Sequence, residues 1–345
     1  MNAKRVTSRD VAKRAGVSRT TVSFVLNNVQ GVQISEETRQ RVIQAAIDLG
    51  YVPDAAAQAL ASRRSHFIGL ILIRDPKHIA TDLFITQILN NLVEVTHQNG
   101  MRLLLDIVEE NHPRDAYLEL VRSRQIDGVL LSGPCFNDEA LRALEEDGFP
   151  TVLMGELPST SLCSVDIDNF AAAQMVVEHL IRLGHTRIAC ITNASRSYTA
   201  AAERLRGYQE ALTRADIPFD ENLVRYGDFS LLSGYVQMKS LLEVKPLPSA
   251  VFVASDVVAF GAMQAIREHG LTIPHDIAMV GFDDVPFARF VDPTLTTVHV
   301  PAADLARKST EILLQLIQGE QPAESRLLLD THLVVRRSCG ARLTE

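Results

Sequence analysis

The feature that most constrains the fold is a repeated alternation of strand-like and helix-like segments after residue 64. Several of the predicted helices end in glycine, at Gly100, Gly184 and Gly270, and glycine favours the left-handed turn that closes a helix. Repeated strand–helix units form parallel sheets that are covered by helices on both faces. The pattern is too long for one ordinary sheet, so the sequence predicts an α/β fold with two doubly wound parallel-sheet lobes. The predicted strands, of which the first six are each expected to precede a helix, are 67–73, 102–107, 128–131, 151–154, 188–192, 250–254 and 277–282.

Bulk composition favours a multidomain protein of the cytoplasm. The chain has 345 residues, of which 46% are hydrophobic, which is enough for two or three packed domains. No apolar run approaches the roughly 18 residues of a membrane span, and the polar, basic N-terminus does not resemble a signal peptide. The four cysteines are scattered without a C-x-x-C pair, which predicts free thiols in a reducing compartment.

Charge is divided unevenly along the chain. The net charge is −8, but residues 1–64 contain ten Lys and Arg against five Asp and Glu, a balance of +5. The remaining residues contain 24 basic and 37 acidic side chains, a balance of −13. A basic head on an acidic body is typical of a nucleic-acid reader with a separate sensing domain, although a merely solvated basic N-terminus would look the same.

Residues 7–27 predict a helix-turn-helix. Thr7 and Asp10 form a capping box, and Gly16 ends the first helix in a tight turn. Ser18 then caps a second helix whose buried face is Val22, Val25 and Leu26. Two short helices joined by a glycine turn form the motif that places its second helix in the DNA major groove.

The exposed face of the second helix supplies the predicted DNA contacts. Arg19 can donate to both acceptors of a guanine edge, and Thr20 can contact a thymine methyl or a base edge. Ser23 and Asn27 suit phosphates, whereas Phe24 is either a thymine-methyl contact or a core residue. Thr7 and Ser18 complete the predicted contacts in this head.

A third helix and a short alanine-rich segment follow. Ser35 caps the helix 36–49, which ends before Gly50, and three helices then surround one small apolar centre. Residues 55–61 follow Pro53 and are too short to be a stable helix alone. Leu60 can wedge between base steps in the minor groove, and small residues such as Ala57 let two copies pack closely. A plain alanine-rich linker is the alternative interpretation of this segment.

The motifs together resemble the lactose-repressor (LacI) family. In the head they are VTSRDVAKRAGVSRTTVS from Val6, SEETRQRV from Ser35 and LGYVP from Leu49; in the body they include DIDN from Asp166, HLIRLGHTRI from His179, GFDD from Gly281 and DPTLTTV from Asp292. The resemblance implies a helical head, a hinge helix and a two-lobed sensor like the type I periplasmic binding proteins. It also implies a homodimer that grips palindromic double-stranded operator DNA and is switched by a small effector.

The sequence departs from the family pattern in two places. The loop 28–34 is longer than is common, and Asp54 stands where members often have Asn. An acid near the minor groove repels phosphate, which puts the hinge contact at Asp54 in question. No leucine-heptad tail follows the body, which favours a dimer over a tetramer.

The predicted domains follow from these motifs and from the resemblance. They are a headpiece at 1–52, a hinge helix and linker at 53–64, and an effector-binding and dimerisation domain at 65–345. Its first lobe is expected at about 66–165 and 297–321, and its second at about 166–296 and 322–345. Residues 302–318 are expected to return to the first lobe, and 326–336 to the second.

The predicted effector site lies between the lobes, because open α/β sheets bind ligands at the carboxyl ends of their strands. The resemblance places effector-binding residues at Arg204 and Asp283, and an Arg–carboxylate pair suits a polar, hydroxyl-rich ligand. Phe84, Asp168, Tyr198, Phe229 and Ser255 are further candidates. Structural roles are the alternative for each; Asp168 or Asn169 can simply cap the following helix, and Asp256 is expected to be a cap and not a ligand.

These observations predict a transcription regulator, most simply a repressor, with a sugar or a nucleoside or purine as effector. The alternative is a soluble solute-binding protein without a regulatory DNA target. No glycine-rich phosphate loop, nucleophile elbow or cluster of His and Cys ligands is present in the sequence, so neither an enzyme nor a cofactor or metal is expected. The effector, its sign of action and the operator sequence do not follow from the sequence.

Overall fold

The computed structural model describes residues 6–26, 31–52, 64–110 and 116–341, which fall into two compact units. The first unit is Met1–His66 with Arg124–Asp127, and the second is Phe67–Ser123 with Gly128–Glu345. The predicted hinge segment 55–61, with Ala57 and Leu60, lies outside the described residues, as do Asn27 and Asp54. Within the described ranges, no helix is long and apolar enough to cross a bilayer.

The first unit contains the three predicted helices, α1 (Ser8–Ala15), α2 (Arg19–Leu26) and α3 (Glu36–Leu49). The Asp10 carboxylate accepts hydrogen bonds from the Thr7 N–H at 2.9 Å and from its hydroxyl at 2.7 Å, which fixes the start of α1. Gly16 ends α1 with φ at +70°, and the Ser18 hydroxyl accepts from the Thr21 N–H at 3.0 Å to begin α2. Gly16 and the Ser18 cap therefore form the turn between α1 and α2, as the sequence predicts.

A small apolar cluster holds the three helices together. Its fully buried members come from all three helices and are all small or β-branched: Val11, Ala12, Ala15, Val22, Val25, Val42, Ala45 and Ala46. Leu26 and Leu49 pack against this cluster from its edge. The residues predicted as the inner faces are thus the ones that meet, and they leave the opposite face of α2 open to solvent.

The second unit contains two six-stranded sheets. The first lobe has the strand order β11-β5-β4-β3-β1-β2, and every neighbouring pair in it is parallel. Its helices include α4 (Leu83–Gln98) and α11 (Ala302–Gln318), which pack on each other. Its strands and remaining helices are β1 (Phe67–Ile73), β2 (Arg102–Val108), α5 (Leu118–Arg122), β3 (Gly128–Ser132), α6 (Glu139–Glu146), β4 (Thr151–Met154), β5 (Cys163–Ile167) and β11 (Arg326–Leu329).

The second lobe repeats this architecture with the order β12-β10-β9-β8-β6-β7. All its neighbouring pairs are parallel except β10 with β12, which is antiparallel. Its elements are α7 (Asn169–Arg182), β6 (Ile188–Thr192), α8 (Thr199–Arg214), β7 (Val224–Tyr226), α9 (Leu231–Leu242), β8 (Ala250–Val253), α10 (Asp256–Glu268), β9 (Ala278–Asp283), β10 (Thr296–His299) and β12 (His332–Val334). The predicted fold class, two parallel α/β lobes behind a helical head, is confirmed.

Strand order decides where a ligand can enter. The order reverses beside β1 in the first lobe, where β2 lies on one side and β3 on the other, and beside β6 in the second lobe. Loops leaving the two strands at such a switch point diverge and open a crevice at their carboxyl ends. Arg74 follows β1, Asn193 follows β6 and Ser255 follows β8, so each of these residues lies at such an end.

Three details of the predicted organisation are wrong. The strand 151–154 is followed by another strand, β5, and not by a helix. Residues 296–299 form β10 in the second lobe, although they were expected in the first lobe from residue 297. Residues 326–329 form β11, which pairs with β5 of the first lobe, so only β12 of the predicted segment 326–336 lies in the second sheet.

The physical reason for these errors is that short edge strands carry little pattern of their own. β11 alternates between exposed and half-buried side chains, and β12 is three residues long with no fully buried member. The chain therefore crosses between lobes at three short connections, after β5, β10 and β11.

Candidate functional site

A cleft between the lobes collects residues from the carboxyl ends of both sheets. It has a volume of about 780 Å³ including the part open to solvent, which is within the usual range for small-molecule sites. Six of the seven effector-site residues predicted from the sequence line it: Phe84, Tyr198, Arg204, Phe229, Ser255 and Asp283.

Arg204 is held in the wall of this cleft by several partners. Its Nε donates to Asn169 Oδ1 at 2.8 Å, and its Nη1 donates to the Ala254 carbonyl at 2.7 Å and lies 3.9 Å from Asp283 Oδ1. The guanidinium carbon lies 3.7 Å from the centre of the Phe282 ring. Burial lowers the pKa of Arg204, but the neighbouring carboxylates oppose that shift, and it remains a fixed cation.

Asp283 ends β9 in a backbone conformation that is unusual for a side chain with a Cβ. Its φ is +116°, and Asp284 follows at +55°. Burial raises the pKa of Asp283, while Arg204 and a hydrogen bond from Ser255 oppose that shift. The carboxyl group is thus presented to the cleft by a turn that most residues disfavour.

Asp256 supports this turn from behind the cleft. It is fully buried, and its carboxylate accepts from the Val285 N–H at 2.9 Å and from the Thr297 hydroxyl at 2.6 Å. Burial, with Asp283 nearby, raises the pKa of Asp256 well above its ordinary value. Asp256 is the first residue of α10, but its side chain bonds to Val285 and Thr297 and does not cap its own helix. The expectation that Asp256 is a helix cap is therefore wrong.

Three aromatic side chains shape the interior. Phe229 has φ at +65°, and its ring meets that of Tyr198 edge-on with 5.3 Å between centres. The Tyr198 hydroxyl donates to the Ile73 carbonyl of the other lobe at 2.9 Å, so this side chain also joins the lobes. Phe84 packs against the apolar clusters of both lobes. The aromatic residues therefore have structural contacts in addition to their place in the cleft.

Asp168 does not line the cleft. It is exposed, and its carboxylate accepts from the Ala171 N–H at 2.8 Å, which makes it the cap of α7. The structural alternative stated for Asp168 is therefore the one the structure shows. Asp166, two residues earlier in the same motif, lines the cleft instead, because it lies within β5, whereas Asp168 follows the strand and begins the next helix.

The cleft also contains several other polar residues that were not predicted from the sequence, among them Arg74, Asp82 and Asn193. Arg74 is 6% exposed, its Nη1 lies 3.3 Å from Asp82 Oδ2, and its guanidinium carbon lies 3.6 Å from the centre of the Phe229 ring. Arg74 directly follows a predicted strand, so the rule that ligands bind at strand ends, applied to β1, would have found it.

Hydrogen bonds close one edge of the cleft. Ser195 donates to Glu110 at 3.0 Å, Ser197 also donates to Glu110, and the Phe136 N–H donates to the Ser197 carbonyl at 2.8 Å. These bonds run between loops of different lobes and hold them together beside a second, more acidic cavity lined by Asp75, His78, Glu109, Glu110 and Asp228. Within the described ranges, no group of three or more His, Cys, Asp or Glu side chains is placed to hold a metal ion.

The predicted DNA-reading face can be located within the first unit. Arg19, Thr20 and Ser23 are exposed on α2, and Thr7 and Ser18 are exposed at the starts of α1 and α2. Phe24 is half-buried and does not belong to the apolar cluster of the head, which favours its interpretation as a surface contact. An open polar face on the second helix of this motif has the geometry that major-groove reading requires.

This combination defines a class of protein in which a helix-turn-helix head precedes a two-lobed ligand-binding body. Comparison with known proteins agrees: residues 7–54 match the model of bacterial regulatory proteins of the lacI family, and residues 177–339 match that of the periplasmic binding protein-like domain. The chain belongs to the lacI family of bacterial regulatory proteins.

Similarity to curated relatives extends over nearly the whole chain. The HTH-type transcriptional regulator CelR of Thermobifida fusca is 35% identical over 97% of this chain and 98% of its own length. The HTH-type transcriptional repressor CytR of Escherichia coli strain K12 is 34% identical over 97% and 96%. Both relatives are transcription regulators, which supports the predicted regulator and not the solute-binding alternative.

Solved structures show the same fold. The Lac repressor dimer bound to operator and the anti-inducer ONPF is 32% identical, covering 98% of this chain and 100% of that chain, with a TM-score of 0.85. The CelR–cellobiose complex is 34% identical over 97% and 100%, with a TM-score of 0.74.

Asp166 generates a prediction about pH. Burial raises its pKa to about 6, although hydrogen bonds from Ile167, Asn169 and Glu156 and the charge of Arg204 oppose the shift. An unfolded Asp titrates near ~3.9, so between about pH 4 and 6 the folded state binds a proton that the unfolded state has released. This group therefore makes the protein less stable as pH rises through that window. We expect Asp166→Asn to gain stability relative to wild type from pH 4 to 6, as measured by melting temperature.

Asp276→Asn is the control for this pH series. Hydrogen bonds from Thr272 lower the pKa of Asp276. The difference in melting temperature between Asp276→Asn and wild type should therefore change only below about pH 4 and stay constant from pH 4 to 6. A difference between Asp166→Asn and wild type that also stays constant from pH 4 to 6 would contradict the raised pKa.

Proposed function

We propose that this chain is a cytoplasmic transcription repressor that binds operator DNA as a homodimer and is switched by a small polar effector. The observation that carries the proposal is that one chain holds both an exposed helix-turn-helix face and a cleft with a buried arginine beside a buried carboxyl group. We assign the polar groups of the cleft to ligand recognition and not to catalysis.

DNA reading is assigned to the exposed face of α2. Arg19 reads a base edge, Thr20 contacts a base or a thymine methyl, and Ser23 contacts phosphate. Thr7 and Ser18 add contacts near the helix starts, Phe24 meets a thymine methyl, and Asn27, outside the described residues, is a further proposed contact. Two heads related by twofold symmetry read the two halves of a palindrome, as in the Lac repressor dimer on its operator.

Effector binding is assigned to the cleft. Arg204 and Asp283 form the polar anchor, Ser255 bonds to Asp283, and Phe84, Tyr198 and Phe229 supply apolar surface. A sugar or a nucleoside presents both hydroxyl groups and a flat face, which suits such a set. The solved CelR complex contains cellobiose, a ligand of this chemical class.

Effector binding reaches DNA through the relative position of the lobes. Because the two walls of the cleft belong to different sheets, a ligand that contacts both favours one lobe arrangement over another. We propose that this preference orders or melts the segment 55–61, where Ala57 permits close packing of two copies and Leu60 inserts into the minor groove.

Arg204→Gln tests the effector assignment. The variant should keep wild-type operator affinity but lose its response to the effector, because the polar anchor is removed while the head is unchanged. The measurement is operator binding by fluorescence anisotropy with and without a panel of sugars and nucleosides. Arg206→Gln is the matched control: Arg206 lies two residues further along α8, its side chain is 62% exposed, and its partners are Glu203 on the same helix and the ring of Phe170, 4.9 Å away. An unchanged response in Arg204→Gln would refute the assignment.

Arg19→Ala tests direct reading of the operator. Losing a bidentate contact to guanine should cost about 1–3 kcal/mol at one base pair of each half-site and relax the preference there. Selection of operator sequences from a random pool, for wild type and variant, measures this. A uniform loss across all sequences would mark Arg19 as a phosphate contact.

Leu60→Ala tests the wedge. The variant should bind operator more weakly and bend it less, because an apolar wedge between base steps is what stabilises a kink. Effector affinity, measured by calorimetry, should stay unchanged. Operator affinity equal to wild type would return residues 55–61 to the interpretation as a linker.

A further inference from the structure

Two polar groups in the cleft lack the hydrogen-bond partners that burial normally demands. Arg74 is 6% exposed, yet among the residues that the structure describes neither its Nε nor its Nη1 has an acceptor. Asn193 is 4% exposed, and its Oδ1 has no donor. Buried polar atoms are almost always paired, so unpaired ones that line a cleft mark where a ligand should supply partners.

The two groups come from different lobes but share one neighbour. Arg74 lies over the ring of Phe229 at 3.6 Å, and the Phe229 N–H donates to the Asn193 carbonyl at 2.8 Å. Arg74, Asn193 and Phe229 all line the same cleft, so one small molecule bound there can contact both polar groups. It must offer acceptors to Arg74 and a donor to Asn193.

Protein groups only partly balance the charge of Arg74. Asp82 lies 3.3 Å from Nη1 but outside hydrogen-bonding geometry, and its other oxygen accepts from the Ile85 N–H at the start of α4. Arg204, the other arginine of the cleft, has its own partners in Asn169 and Ala254. Among the described residues, Arg74 is thus the arginine of this cleft whose Nε and Nη1 have no hydrogen-bond acceptor.

A second carboxylate of the cleft, Asp166, already accepts hydrogen bonds from protein groups. Asp166 accepts from the N–H groups of Glu156 and Ile167 and from the Asn169 side chain, at 2.9, 2.7 and 3.1 Å. The Asp166 carboxylate is therefore not the acceptor for the Arg74 nitrogens. A guanidinium carries only donors, and its best partner is a group that carries only acceptors, which a carboxylate or phosphate does and a hydroxyl does not.

We infer that Arg74 is a specificity-determining residue and that the effector is an acidic sugar, with its carboxylate or phosphate on Arg74 and a hydroxyl on Asn193. The inference rests on the proposed effector role of the cleft. It assigns to the first lobe an anion contact separate from the Arg204–Asp283 anchor of the second lobe.

The test is calorimetric binding of matched neutral and acidic ligands to the full chain. The pairs are glucose with glucuronate, cellobiose with cellobionate, and glucose with glucose 6-phosphate, so that the arms separate carboxylate from phosphate. At least one acidic member should bind about tenfold or more tightly than its neutral partner, since charge-assisted hydrogen bonds exceed neutral ones by that order.

Arg74→Gln should weaken binding of that acidic ligand by about 10- to 100-fold and change binding of its neutral partner by less than about threefold. Arg74→Lys should retain part of the preference for the acidic over the neutral ligand, because lysine keeps the positive charge. Arg142→Gln, an exposed arginine of the same lobe, is the matched control and should change neither.

Folding is controlled separately. Arg74→Gln leaves Asp82 without its ion pair, so the double variant Arg74→Gln with Asp82→Asn, which removes the stranded carboxylate, should show the same loss of preference at a melting temperature near wild type.

Three results would overturn the inference: equal binding within every pair, an equal effect of Arg74→Gln on both members, or no binding of any acidic member. If a neutral sugar binds at least as tightly as its acidic partner and changes operator affinity, the inference fails while the proposed function stands. Failure of the proposed function is a separate result, namely the absence of sequence-specific operator binding.

Discussion

The buried guanidinium of Arg204 is the interaction on which the second lobe's side of the cleft depends. It joins the start of α7 through Asn169, the end of β8 through Ala254 and the end of β9 through Asp283. Phe282 covers its face, which keeps water from replacing these partners. Because three elements meet at one cation, the ends of two strands and a helix hold fixed positions before any ligand arrives.

The first lobe contributes a looser counterpart. Arg74 and Asp82 also form a buried ion pair, but the pair is not hydrogen-bonded and two nitrogens of Arg74 have no acceptor. Burying a charge with incomplete pairing is costly, so Arg74 contributes unfavourable free energy that the carboxylate or phosphate inferred for this position would relieve. The arginine of the second lobe is therefore hydrogen-bonded to protein groups, whereas two side-chain nitrogens of the first lobe's arginine have no acceptor among the described residues. That asymmetry suits a protein that must respond to its ligand and not merely bind it.

Much of this organisation could be predicted from the sequence, and the failures have physical causes. The head was predictable in detail because caps, a turn glycine and small apolar residues act locally, as Thr7, Gly16 and Val22 show. Arg204 and Asp283 came from family resemblance. Arg74 was missed because an arginine after an apolar strand normally begins a solvated loop, whereas here Phe229 of the other lobe packs against it. Asp168 was misplaced because β5 ends at Ile167: Asp166, inside the strand, lines the cleft, whereas Asp168 caps the helix that follows.

The positive φ angles at Phe229 and Asp283, both of which line the cleft, set stability against recognition at these two positions. At such angles glycine is the residue that a chain tolerates best, and side chains with a Cβ are strained by about 1–3 kcal/mol each. Drift toward glycine at these positions would relax the backbone and at the same time delete the ring or the carboxyl group that meets the ligand. A lineage that kept its DNA-reading head but no longer needed an effector could therefore become more stable as its cleft decayed.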